Sequence, residues 1–129
     1  MGQALGTLGG PRSEGLGVNG HGQVVGWSDV DSDPDQIPRR IYAFVFTPGK
    51  GMIEVGFGGF SRATGINDAA EVIGTACYPG GGACQAFVYS QANGTTTDVG
   101  SLLGFGSSEG VAIDRKHVIV GTSDRGTFT

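Results

Sequence analysis

One phrase, repeated at nearly constant spacing, constrains this chain more than any other feature. Residues 61–74 read Ser-Arg-Ala-Thr-Gly-Ile-Asn-Asp-Ala-Ala-Glu-Val-Ile-Gly, and close copies start at Ser13 and Ser108, placing Asn19, Asn67 and Asp114 48 and 47 residues apart. Self-similarity at such a period marks a repeat architecture, in which one unit cannot bury its apolar face alone and the neighbouring units cover it. No stretch of a dozen residues carries apolar positions at i, i+3, i+4 and i+7 without an interrupting glycine or proline. The 26 glycines in 129 residues suit tight turns between short strands instead. The expected fold is therefore all-β, with antiparallel four-stranded repeat units arranged like β-propeller blades.

Each unit divides into four strand-like runs, most complete in the second copy. Strand one, at 62–66, alternates so that Ser61, Ala63 and Gly65 share one face, matched by Ser13, Gly15 and Gly17 and by Ser108, Gly110 and Ala112. A face without bulk lets another backbone come close. Leu16, Val18, Thr64, Ile66, Val111 and Ile113 are expected on the opposite, packing face. Asn19, Asn67 and Asp114 follow, where a side-chain oxygen can accept the backbone N–H two residues on and close a turn. Strand two carries a branched apolar pair and then glycine, at Gly26, Gly74 and Gly121, which marks a bulge or a close neighbour. Trp27, in this strand, is expected to pack. Strand three, at 41–46 and 85–89, is apolar on both faces and predicts burial on both sides. Strand four, at 52–55 and 95–99, carries Glu54 and Asp98 and reads as a charged outer edge. The connections at 29–40 and 78–83 differ most between copies and are the expected recognition loops.

The chain thus forms one repeat array over 1–129, with units near 1–55, 56–99 and 100–129. Ala4-Leu5-Gly6 matches Glu54-Val55-Gly56 and Asp98-Val99-Gly100, so the array opens on a fourth strand, and it stops near Phe128, where a third strand should begin. About three units with incomplete ends predict further repeats in a longer protein, or self-association that completes the fold.

A net charge of −4 with scattered basic residues argues against a nucleic-acid partner. The apolar runs are too short for a membrane-spanning helix. The first residues lack the basic start and apolar core of a signal peptide, so the signal of a secreted form would lie outside this chain. The two cysteines, Cys77 and Cys84, fall at facing ends of two strands, where a disulfide could close the intervening loop. Two buried free thiols are the alternative reading, since two cysteines fix no redox compartment.

These residues resemble the HAF-type repeats, a probable extracellular family named for a His-Ala-Phe signature after a Leu-Gly-x-Leu-Gly-Gly…Ser…Ile-Asn…Val-Val-Gly pattern. Leu5-Gly6-Thr7-Leu8-Gly9-Gly10, Val18-Asn19 and Val24-Val25-Gly26 carry the likeness. The signature itself reads Tyr42-Ala43-Phe44 and Gln85-Ala86-Phe87, without its histidine, so no role falls to a repeated histidine. The resemblance implies a bacterial, extracellular, β-propeller-like repeat protein.

Two side-chain groups could carry chemistry. Asp29, Asp31, Asp33 and Asp35 alternate as at the start of a calcium loop, but Pro34 and Arg40 stand where that loop needs glycine and a bidentate glutamate; a solvated acidic loop is the competing reading. Glu14, Arg62 and Glu109 hold equivalent positions at the entry to strand one. Two such carboxylates flanking a cleft could work as acid and base in glycoside hydrolysis. The function expected is a non-catalytic extracellular module for adhesion or for binding a carbohydrate or protein ligand, with no cofactor unless calcium binds. The alternative is a domain of a propeller-type hydrolase.

Overall fold

The computed structural model describes residues 6–9, 12–30, 40–56, 60–77, 84–102, 107–116, 118–123 and 126–129. Three antiparallel sheets follow one another along the chain. The first contains β1 (Ser13–Val18), β2 (Val24–Asp29), β3 (Ile41–Thr47) and β4 (Gly51–Glu54), hydrogen-bonded in that order. The second repeats it with β5 (Phe60–Ile66), β6 (Glu71–Cys77), β7 (Cys84–Ser90) and β8 (Thr95–Asp98). The third has β9 (Ser108–Ile113), β10 (Ile119–Ser123) and β11 (Gly126–Phe128), with β10 in the middle. Strand four of the second unit ends one residue earlier than expected. Val99–Leu102 instead winds into a single helical turn, α1.

The sheets stack through their first strands. β5 lies against β1, β2 and β3 of the sheet before it, and β9 lies against β5, β6 and β7. Val25, Ala43 and Val45 of the first sheet meet Ala63, Ile66, Val72, Ala76 and Phe87 of the second in one buried cluster. Burying a Val, Ile or Phe side chain fully contributes about 1.5–3 kcal/mol, so the first sheet gains its apolar cover from the second.

The small-residue strands make this stacking possible. A Cβ on Gly17 would lie 3.3 Å from the Gly65 Cα, and one on Gly65 would lie 3.3 Å from the Ala112 Cα, so three backbones come together in series. The expected strict alternation does not hold, however. Register shifts between Gly15 and Gly17, and between Ala63 and Gly65, insert a bulge at Leu16 and Thr64. The third sheet shifts at the corresponding place, opposite Val120 and Gly121. The extra residue moves Ile66 to the same side as Ala63, where both are buried, and it leaves Leu16 and Val111 exposed. The glycine after the branched pair is needed here, because a Cβ on Gly26 or Gly74 would run into the carbonyl of Glu14 or Arg62 on the bulged strand.

Strand three is buried across its middle, as Ala43, Phe44, Val45, Ala86 and Phe87 show. β4 and β8 form sheet edges. Among the described residues no helix is long and apolar enough to cross a membrane.

Candidate functional site

The repeated polar residues are the natural place to look for a site, and the structure commits them to joining sheets. Asn19 Oδ1 accepts the His21 and Gln23 N–H groups at 3.0 Å, the expected turn closure. Its amide nitrogen does something the sequence did not suggest, donating to the Asn67 carbonyl of the next sheet at 3.0 Å and to Gln23 Oε1 at 2.8 Å. Asn67 repeats the arrangement. Its Oδ1 accepts from Ala69 and Glu71, and its Nδ2 donates to Glu71 Oε1 at 2.7 Å and to the Asp114 carbonyl at 2.9 Å. Asp114 closes its own turn through the N–H groups of Lys116 and Val118, but a carboxylate has no N–H to pass forward.

The repeated serine makes the second joint. In the first sheet β4 leaves β3 after Val55, whose N–H binds the Ala43 carbonyl at 2.9 Å. The Ala43 N–H goes instead to Ser61 Oγ of the second sheet, at 2.8 Å. Ser108 takes the Ala86 N–H at the same distance and donates to Gln85 Oε1 at 2.7 Å. The N–H of the alanine in each Ala-Phe pair thus takes its acceptor from the following unit. The serine in every copy was the available clue.

Where the second joint reaches the surface it opens into a polar cleft of about 240 Å³, lined by Cys84, Ser107, Ser108, Glu109, Thr122 and Ser123. β9 and β10 set its floor by pairing Ser108 with Ser123 and Glu109 with Thr122. Cys84 starts β7 opposite Cys77, and the two form a disulfide, which decides between the two readings of these cysteines. The loop it closes, 78–83, lies outside the described residues. The cleft combines hydroxyl groups, which donate and accept, with one exposed carboxylate. Its volume falls below the roughly 300–1,000 Å³ of sites that enclose a whole small molecule, so it suits one polar end of a larger ligand. Residues 107, 109, 122 and 123 do not recur as a set in the other copies; repeat-based reading singled out Glu109 for its match to Glu14 but had no signal that would join it to the other three.

The other residues singled out by sequence are dispersed. Asp29 is not a loop residue: it ends β2, is buried, and pairs with Arg12 Nε at 3.2 Å. Asp31, Asp33 and Asp35 lie outside the described residues. Among those described, no three His, Cys, Asp or Glu side chains are grouped to hold a metal ion. Glu14 is on β1 and Glu109 on β9, with β5 packed against both strands. The Glu14 carboxylate accepts the Trp27 indole N–H at 3.2 Å, and Arg62 is exposed on β5. Comparison with models of protein families, with curated proteins and with solved structures finds no match.

Proposed function

We propose that this chain is a non-catalytic extracellular binding module, built of blade-like β units as in the HAF-type repeats it resembles, that holds a carbohydrate or protein ligand at the cleft between the second and third sheets, beside the disulfide. The observation carrying this reading is a division of labour among polar residues. Asn19, Asn67 and Ser61 are spent on joints between sheets, whereas Ser107, Glu109, Thr122 and Ser123, a combination found in no other copy, line an open cleft beside the joint made by Ser108. Function on a rigid repeat scaffold belongs with what varies. The disulfide supports an oxidising compartment outside the cytosol, and hydroxyls around a single carboxylate suit the hydroxyls of a sugar or the amides of a peptide.

The test is amide chemical-shift mapping of the oxidised protein against a panel of neutral and acidic oligosaccharides and peptides. A ligand that perturbs residues 107–109 and 122–123, and whose binding is lost in Glu109→Ala and Thr122→Val, is the expected result. Binding that maps elsewhere, or that both substitutions leave intact, would overturn the assignment.

A further inference from the structure

We propose that the outer faces of the first and third sheets are two halves of one interface, through which a second copy of this chain stacks head to tail. Its first sheet would cover the third sheet of its neighbour, continuing the joint that the chain already makes twice internally. This inference stands apart from the ligand-binding reading.

The apolar parts correspond position by position. Val18 holds the place of Ile66, which is 8% exposed beneath the first sheet, yet Val18 itself is 65% exposed. On the third sheet Val120 holds the place of Val25 and Ile73, both fully covered by a following sheet, and is 38% exposed. Val111 holds the place of Thr64, whose hydroxyl crosses to the Gly110 carbonyl of the following sheet at 2.8 Å, and it too is exposed.

The serine joint can also be completed. Thr122 pairs with Thr127 as Trp27 pairs with Ala43, so Thr127 is the third counterpart of the alanine in the Ala-Phe pair. Its N–H therefore points away from β10, in the direction from which Ala43 meets Ser61. Ser13 of a second copy would supply the acceptor. Its hydroxyl donates to the Gly6 carbonyl at 2.8 Å, which keeps its lone pairs for an incoming N–H, just as Ser108 donates to Gln85 while accepting from Ala86.

One element is mismatched. Where Asn19 and Asn67 each pass an amide N–H to the next sheet, Asp114 would turn a carboxylate toward the Asn19 carbonyl of the second copy. Two acceptors would then face each other without a proton between them. Association through this interface is accordingly weak and reversible, and Asp114→Asn supplies the missing donor.

Sedimentation velocity over a wide concentration range tests this. Wild type should associate reversibly at high concentration, and Asp114→Asn should tighten association about tenfold, the value of one added hydrogen bond with its acceptor no longer opposed. Val18→Glu and Val111→Glu should each be monomeric alone, because each lacks one face. Mixed in equal amounts they should form dimers and nothing larger, since one intact face of each kind remains. Strictly monomeric behaviour of both wild type and Asp114→Asn overturns the proposal, as does Val18→Glu that still self-associates or a mixture that stays monomeric. Circular dichroism melts verify folding of the two glutamate variants; should either melt early, the comparison of Asp114→Asn with wild type decides alone, because that change leaves the buried cluster untouched.

Discussion

Replacing Asn67 by aspartate keeps the turn and removes only the link between sheets, which makes it a sharp probe of the joint. The side chain is 5% exposed, and a carboxylate there can still accept the Ala69 and Glu71 N–H groups through its Oδ1. The donor to the Asp114 carbonyl is lost, and stranding an acceptor at a buried joint costs about 1–3 kcal/mol. The contact with Glu71 Oε1, 2.7 Å in the native protein, becomes a meeting of two carboxylates. Two like charges 4 Å apart repel by about 4 kcal/mol at an effective dielectric constant near 20. Rotation of Glu71 toward solvent, or uptake of a proton, relieves much of this, so Asn67→Asp should destabilise by about 3 kcal/mol in total. Glu71→Gln alone should be close to neutral, because Gln23 fills the same position beside Asn19. Combined with Asn67→Asp it should recover about 2 kcal/mol, since an amide there donates to the introduced carboxylate. Urea unfolding followed by the fluorescence of Trp27, the sole tryptophan, gives all three values. An Asn67→Asp variant within about 0.5 kcal/mol of wild type, or a double variant no better than the single, would refute the joint as the source of stability.

Further outcomes follow from the same geometry. Gly74→Ala should destabilise by about 3 kcal/mol or more, because its methyl group meets the Arg62 backbone carbonyl rather than a side chain that can move aside; a thermal melt at the wild-type temperature would contradict the bulge packing. Ala70 sits at φ 59° where the equivalent Gly22 sits at φ 78°, so Ala70→Gly should stabilise by up to about 1 kcal/mol as left-handed strain is relieved, seen as a raised urea midpoint. Desolvation on its strand raises the Glu54 pKa above the ordinary glutamate value, so the native state binds the proton more tightly than the unfolded chain does. That group then costs stability as pH rises through the window between the two values, and Glu54→Gln should gain over wild type above the window and lose its advantage below it. Parallel stability curves for the two proteins across acid pH would contradict the assignment.

Much of the scaffold was legible because each rule acts locally. Branched pairs followed by glycine gave the second strands, the double-sided apolar run gave β3 and β7, and Asn or Asp before a short gap gave the turns. The faces of strand one were not legible, because a bulge at Leu16, Thr64 and Val111 changes the count without leaving a residue signature. The role of the asparagine amide was hidden for a related reason. Its oxygen has a local partner that suffices to explain the residue, and only the stacked sheets show where the nitrogen goes. Asp29 misled because alternation with Asp31 and Asp33 outweighed its place at the end of a strand, where Arg12 meets it. The cleft at Glu109 is a combination that no other copy repeats, and it required the pairing of β9 with β10 and the position of Cys84.

The serine joint gives the stack a direction. The Ala43 N–H finds its acceptor only on Ser61, and that of Ala86 only on Ser108. The first sheet is completed only by strand β5, and the second in turn by β9. The dependence runs one way along the chain, each unit's first strand supplying the acceptor that completes the sheet before it.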